Sequence, residues 1–183
     1  LMPDNVYGPQ RAFCESILRR FGVETTFYDP RIGSDIGVLI KANTRVVYTE
    51  APGSLTFEMQ DIPAIVEAAH ARSALVIMDN TWAGPLYFKP RSAGVDICVE
   101  AATKFIAGHS DLVMGIITAR TKELYLRMRS FCMQMGEIAS PDDCYMALRG
   151  LRTMEVRMER QYAHALDLAR WLQKRPEVLQ VLY

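Results

Sequence analysis

The stretch that decides the fold is residues 95–111, VDICVEAATKFIAGHSD. It opens with a short β-branched apolar run, which predicts a buried strand over 95–99. Lys104 follows that strand, and ligands in open α/β sheets bind beyond the carboxyl ends of strands. Apolar neighbours there would favour the neutral amine, the form that attacks a carbonyl to make a Schiff base. Taken alone, a lysine at this position is far more often a surface residue in a strand-to-loop connection.

A second stretch, residues 74–82 with the sequence ALVIMDNTW, strengthens the functional interpretation. Its apolar run predicts another buried strand, which ends in the acid Asp79. A Schiff-base lysine together with a buried carboxylate is the pair that a pyridoxal phosphate (PLP) site requires. The alternative is that Asp79 serves as a helix cap or turn residue, since Asp-Asn-Thr is a good capping sequence.

The pattern along the whole chain predicts an α/β fold with a mostly parallel or mixed sheet flanked by helices. We expect residues 1–150 to form one domain, incomplete at its N-terminus, and residues 151–183 to lead toward a further domain. Strands are predicted at 23–28, 45–50, 74–79, 95–99 and 112–119, and helices at 10–21, 61–72, 121–135, 141–149 and 151–174. Residues 85–90 are predicted to form a loop.

Composition excludes several classes of function. The 183 residues carry 21 Lys and Arg against 21 Asp and Glu, which is not the basic balance of a nucleic-acid-binding surface. No apolar run reaches the ~18 residues of a membrane span. Four scattered cysteines predict reduced thiols in a cytoplasmic protein. Three histidines far apart in sequence do not suggest a metal site.

Further candidate residues lie near the two predicted strand ends. Tyr7 precedes a helix and could stack on a cofactor ring, although such a residue more often packs in a core. The hydroxyl of Thr103 could bind a phosphate, but no glycine-rich phosphate loop occurs in this sequence. His109, Ser110 and Asp111 invite a metal or triad interpretation, and we interpret that turn as structural or as part of a subunit contact.

These residues belong to motifs that resemble the PLP-dependent Cys/Met-metabolism family, a branch of the aspartate-aminotransferase superfamily. The motifs are EAPGSLTFEMQDIPAI at 50–65, VIMDNTWAGPLYFK at 76–89, AATKFIAGHSDLVMG at 101–115 and RGLRT at 149–153. They follow the order and spacing of the family and so cover the whole chain. The first two are most similar to the cystathionine β-lyase branch.

The resemblance implies a fold-type I PLP-dependent transferase large domain and a role for each candidate residue. Lys104 would be the Schiff-base lysine, and Asp79 would face the pyridinium nitrogen. Tyr7 would stack on the ring and assist proton transfer, and Thr103 would bind the phosphate. Ser54 stands where many relatives place an Asn near the ring hydroxyl.

The resemblance also implies an activity and an assembly. The activity would be a PLP-dependent carbon–sulfur β-lyase that cleaves L-cystathionine, an amino-acid thioether, to homocysteine, pyruvate and ammonia in methionine biosynthesis by transsulfuration. Alternatives are a γ-lyase or γ-synthase of the same family, a non-catalytic fragment, or a nicotinamide-binding domain.

A homodimer or homotetramer is implied as well, because the family shares its active sites between subunits. The phosphate loop, the partner-subunit residues and the arginine that holds the substrate carboxylate would lie outside this sequence. Arg149 and Arg152 would be buried or interfacial ion-pair partners.

Overall fold

The structure is a computed structural model that describes residues 1–182. The strands are β1 (Met2–Pro3), β2 (Phe27–Tyr28), β3 (Val46–Glu50), β4 (Leu75–Asp79), β5 (Ile97–Ala101) and β6 (Gly115–Ala119). The helices are α1 (Gly8–Phe13), α2 (Ile62–His70), α3 (Gly84–Tyr87), α4 (Lys122–Met135), α5 (Pro141–Leu151) and α6 (Met154–Leu172). A π-helical segment continues α1 over Cys14–Leu18, and 3-10 helices occupy Gly33–Val38 and Pro90–Ala93.

The central sheet has the strand order β3-β4-β5-β6, and β4 pairs in parallel with both β3 and β5. A second, two-stranded parallel sheet consists of β1 and β2. Leu1 joins the two, because its amino group donates to Val46 O at 2.8 Å and its carbonyl accepts from Tyr48 N at 2.9 Å. These parallel strands with intervening helices confirm the predicted α/β fold.

The contacts within the chain divide it into two compact units. The first unit comprises residues 1–100 and 116–138, and the second comprises 101–115 and the chain from 139 onward. The domain boundary expected at residue 150 falls inside the second unit, so the division into a cofactor domain and a following helix stays a prediction.

Helix α2 shows how the sequence builds the core of the first unit. Its apolar residues Ile62, Ile65, Val66 and Ala69 recur at helical spacing and are all buried. The side chain of Asp61 accepts a hydrogen bond from Ala64 N at 3.1 Å, which caps the helix as predicted. The buried face packs against side chains of the 3-10 helix Gly33–Val38, of β3 and of β4, among them Ile36, Val47, Val76 and Met78.

Several element boundaries differ from the prediction. Strand β5 begins and ends two residues later than expected, because the ladder with β4 starts at Ile97. Residues 85–90 are not all loop, since α3 includes the first three of them. The helix predicted at 151–174 is instead split between α5 and α6, with Thr153 outside both; its hydroxyl donates to Gly150 O at 3.1 Å.

Asp96 joins three elements of the first unit and was not identified from the sequence. Its side chain is 1% exposed and accepts hydrogen bonds from Val76 N and His70 Nε2, both at 2.8 Å. Arg120 also donates to it, at 2.7 and 3.0 Å. Burial alone would raise the pKa of Asp96, but these hydrogen bonds hold it below its usual value.

The cysteines at 14, 98, 132 and 144 are free thiols. Burial raises the pKa of the Cys98 thiol to about 12, which keeps it protonated at neutral pH. Within residues 1–182, no helix combines the length and the apolar character that crossing a membrane requires.

Candidate functional site

Asp79 stands at the carboxyl end of β4, in the first unit, level with Glu50 of β3 and Val99 of β5. One of its oxygens, Oδ1, accepts a hydrogen bond from Thr81 N at 2.8 Å. Asp79 is therefore a turn residue, as one of the two interpretations expected. Its other oxygen has no hydrogen bond to the described residues, so it remains available to a ligand donor.

Two further carboxylates accompany Asp79 at this edge of the first unit. Burial raises the pKa of Glu50, and hydrogen bonds from Ser54 and Tyr7 offset only part of that effect. Burial also raises the pKa of Glu100, which accepts from Asn80 Nδ2 at 2.9 Å. The negative charge of Asp79 contributes to both shifts. Such a carboxylate cluster favours a cationic ligand group, and a protonated pyridine nitrogen is one.

Tyr7 belongs to the same unit and begins α1. Its backbone N–H donates to Glu50 Oε2 at 2.9 Å, which ties the start of the helix to the end of β3. The side chain is 53% exposed, so Tyr7 is not a core-packing residue within the described chain. Its ring face and phenol are accessible to a stacked ligand.

The hydroxyl of Ser54 is already engaged in the first unit. It donates to Glu50 Oε1 at 2.6 Å. Because a serine hydroxyl has a single proton, it cannot donate to a cofactor while this bond persists. A contact between Ser54 and a ring hydroxyl therefore stays a prediction.

Lys104 lies in the second unit, three residues after β5 in the sequence. The turn around it is closed by backbone hydrogen bonds, from Lys104 N to Ala101 O at 3.0 Å and from Gly108 N to Lys104 O at 2.8 Å. The expected apolar surroundings are not found, because Lys104 is exposed and the apolar residues beside it, Ile106 and Ala107, are buried instead. Its amine has no hydrogen bond or ion pair to the described residues and is free to meet a carbonyl group.

Thr103, also in the second unit, uses its hydroxyl within the protein. The Oγ1 atom accepts from Met114 N at 3.0 Å and donates to Met114 O at 3.3 Å. Thr103 therefore joins the lysine turn to the segment before β6. Phosphate binding by Thr103 stays a prediction, since it requires the hydroxyl proton to leave Met114 O.

His109 has a local partner in the second unit. Its Nδ1 atom lies 2.6 Å from Ala107 O, which fits a donated hydrogen bond within the turn. No hydrogen bond joins it to Ser110 or Asp111 in the described chain. Among residues 1–182, no group of three or more His, Cys, Asp and Glu side chains is arranged to hold a metal ion.

Arg157 of α6 is the residue that the sequence reasoning missed in the second unit. Its Nη2 atom donates to Phe105 O at 2.9 Å, Ile106 O at 3.3 Å and Gly150 O at 2.8 Å. Two of these carbonyls belong to the residues directly after Lys104. Nothing in the local pattern indicated the contact, because more than fifty residues separate the partners.

Arg149 and Arg152 differ from their expectation. Both are exposed, and neither forms an ion pair with the described residues. The expectation of burial was wrong: Arg149 lies on the exposed side of α5, whose buried residues are Ala147 and Gly150, and Arg152 follows the end of that helix. An interfacial role for the two arginines stays a prediction.

Comparison with known proteins shows which family the chain matches. Residues 1–183 match the family described as Cys/Met metabolism PLP-dependent enzyme. A Rhizobium johnstonii protein that carries the provisional name cystathionine beta-lyase is 51% identical over 183 residues, which are all of this chain and 46% of that protein. The L-alanine/L-glutamate racemase of Wolbachia pipientis is 44% identical, with 100% and 45% coverage. Cystathionine beta-lyase MetC of Escherichia coli is 38% identical, with 99% and 46% coverage.

A solved structure shows the same fold. The crystal structure of metB from Corynebacterium glutamicum superposes with a TM-score of 0.97 at 31% sequence identity, over 100% of this chain and 47% of that one. The chain thus spans about half the length of the relatives that it matches.

Proposed function

This chain belongs to the Cys/Met metabolism PLP-dependent enzymes, and from that premise we propose that the full-length protein is a carbon–sulfur β-lyase. Its proposed substrate is an amino-acid thioether, L-cystathionine, with homocysteine, pyruvate and ammonia as products. The observation that carries the proposal is the free amine of Lys104 in a turn that directly follows β5. Relatives named cystathionine beta-lyase support this choice within the family.

The donor set fits PLP. The free oxygen of Asp79 suits the ring nitrogen, and the free amine of Lys104 suits the aldehyde. When bound, PLP supplies an electron sink that stabilises negative charge at the α-carbon of an amino acid. We propose that both residues serve PLP, as membership of this PLP-dependent family implies.

Each residue then has a defined role. Lys104 would hold the cofactor through its amine, and the same amine could take the α-proton of the substrate as a general base. Asp79 would hold a proton on the ring nitrogen. Tyr7 would stack on the ring and could give or take a proton through its phenol. Thr103 and Ser54 contribute to phosphate and ring-hydroxyl binding once their present hydrogen bonds rearrange.

The assembly and location complete the proposal. We propose a homodimer or homotetramer, supported by α4, which has no buried residue and exposes Tyr125, Phe131 and Met135.

A cytoplasmic location is supported by the reduced state of the four cysteines that the sequence pattern predicts. No nucleic acid or membrane partner is proposed, because the formal net charge is zero.

Substitution of Lys104 tests the proposed function. In the full-length protein purified with PLP, Lys104→Ala is expected to remove the visible absorbance of the covalently held cofactor and to abolish turnover of L-cystathionine. Thiol release and pyruvate formation report the reaction. Lys174→Ala, an exposed lysine in the same unit, should leave both unchanged. A yellow Lys104→Ala protein in which borohydride still fixes the cofactor would contradict the assignment.

Amino-acid racemisation is the second candidate, favoured by the 44% identity to the Wolbachia racemase. Racemisation needs proton transfer on both faces of the α-carbon, and Lys104 and Tyr7 are two groups that could provide it. Incubation with L-alanine and L-glutamate, followed by chiral chromatography, separates the candidates. Formation of the D-enantiomers without thiol release from L-cystathionine would favour the racemase.

A further inference from the structure

The turn that carries Lys104 is held from outside by one side chain, the guanidinium of Arg157. It donates from Nη2 to the carbonyls of Phe105 and Ile106, and to Gly150 O in α5. Its Nε atom donates to Thr153 Oγ1 at 3.1 Å, which fixes the plane of the guanidinium from the other side. A charged donor makes stronger hydrogen bonds to carbonyls than a neutral one, so Arg157 holds the backbone of the turn strongly.

Two glycines leave the space that this attachment needs. A Cβ atom at Gly108, where φ is +75°, would overlap the guanidinium group of Arg157. A Cβ atom at Gly150 would overlap the carbonyl oxygens of Ile106 and Ala107. The backbone of the lysine turn therefore lies directly against α5 and the guanidinium, with no side chain between them.

One nitrogen of the guanidinium is left without a hydrogen-bond partner in the described chain. Its Nη1 atom is buried and has no hydrogen-bond partner among the described residues, and no carboxylate in that part of the chain pairs with it. Leaving a charged donor unsatisfied is costly, and such local costs are typical of functional sites. The amine of Lys104 makes no hydrogen bond or ion pair with the described residues that would orient it. The direction of its amine depends on the backbone of the turn.

We propose that Arg157 is a positioning residue that sets the direction of the Lys104 amine by fixing the carbonyls of Phe105 and Ile106. This inference rests on the proposed function, because it gives Lys104 the role of the cofactor lysine. It assigns Arg157 no contact with substrate or cofactor. A misplacement of about 1 Å in a catalytic group costs roughly 100-fold in rate, so the loss should appear in kcat.

The test uses Arg157→Ala and Arg157→Lys in the full-length protein purified with PLP, and Arg160→Ala as the control, an exposed arginine in the same helix. Arg157→Ala is expected to lower kcat for L-cystathionine by about 10- to 100-fold with little change in KM, and to shift the pH midpoint of the visible cofactor absorbance. Added guanidinium ion should restore part of kcat. Arg157→Lys should show the same losses to a smaller extent, since an ammonium lacks the fork that spans several carbonyls.

A readout that needs no cofactor separates this inference from the proposed function. Hydrogen exchange of the amides at 105–108, measured in the cofactor-free protein, should become faster in both Arg157 variants and stay unchanged in Arg160→Ala. Unchanged kcat, spectrum and exchange in Arg157→Lys would overturn the inference, and so would a loss of thermal stability without the other changes. If Lys104→Ala keeps the bound cofactor colour, the proposed function fails instead.

Discussion

Single carboxylates at the strand ends of the first unit differ in what surrounds them. Asp79 keeps one oxygen free, whereas Glu50 accepts from both Tyr7 N and Ser54 Oγ. Glu100 has one partner, the side-chain amide of Asn80. Asp79 can therefore bind a ligand through its free oxygen, whereas both oxygens of Glu50 are used to hold Tyr7 and Ser54 in place.

Asp79→Asn separates the charge of Asp79 from its turn hydrogen bond. The amide oxygen of Asn can still accept from Thr81 N, so folding should be retained. Without the negative charge the ring nitrogen loses its proton, and kcat for L-cystathionine should fall at least about 100-fold, by analogy with the loss of a stabilising electrostatic group. Asp35→Asn, exposed in the same unit, is the control. Near-normal turnover by Asp79→Asn would count against the role of Asp79.

Glu100→Gln tests the raised pKa of Glu100. A carboxyl whose folded pKa is raised supports stability below its unfolded pKa and loses that support as the pH rises through the folded value. Gln retains the acceptor for Asn80 Nδ2 and cannot ionise. The variant should therefore be more stable than the parent protein at pH 7 and equal to it at pH 4, by urea unfolding. Equal stabilities at both pH values would contradict the expectation.

At the level of elements, Asp96 connects the end of α2, strand β4 and the segment after β6 in the first unit. It accepts from His70, Val76 N and Arg120, which belong to those three regions. Its lowered pKa means that its contribution to stability is present above the unfolded pKa and is lost as the pH falls through the folded value.

Asp96→Ala should lower the free energy of unfolding by about 2–4 kcal/mol at pH 7, because it leaves the buried Val76 N–H unsatisfied and breaks the hydrogen bonds from His70 and Arg120. The difference from the parent protein should shrink in acid, where Asp96 of the parent is protonated. Urea unfolding at several pH values measures both effects. The control Asp29→Ala removes an exposed pair with Arg31 and should have little effect. If Asp96→Ala lowered the free energy of unfolding as little as the control does, this structural role of Asp96 would be refuted.

At the level of the whole molecule, α4 exposes several large apolar side chains. Its sequence begins with the Thr121 cap and ends at Gly136, where φ is +74°, so the helix itself is well specified. Yet no residue of α4 is buried in the described chain, and Phe131, Met133 and Met135 are each about 60% exposed. Exposed apolar groups of this kind are typical of subunit interfaces.

Replacement of Phe131 and Met135 by Glu in the full-length protein should shift the assembly toward smaller species, because charged groups are depleted from interface cores. Analytical ultracentrifugation measures the change. The matched control, Lys122→Glu, alters charge in the same helix at a position that is already polar, and should leave the assembly intact. A double variant that sediments like the parent would show that this face is not the interface.

The sequence by itself determined the strand order along the chain and the capped helix α2, and it predicted Lys104 and Asp79 as the two residues on which the proposed function depends. These features are encoded locally: apolar periodicity specifies a strand or helix, and the residue just past a parallel strand is placed by chain connectivity alone. The short motifs around them were sufficient to identify the family.

Only the tertiary structure showed which donors meet which acceptors. Arg157 reaches carbonyls more than fifty residues earlier, and Thr103 pairs with Met114. The hydrogen-bond partners of Asp96 lie twenty or more residues away in the sequence. Local periodicity carries no information about such pairs, because they depend on how the backbone folds back on itself and on which polar groups burial leaves without water.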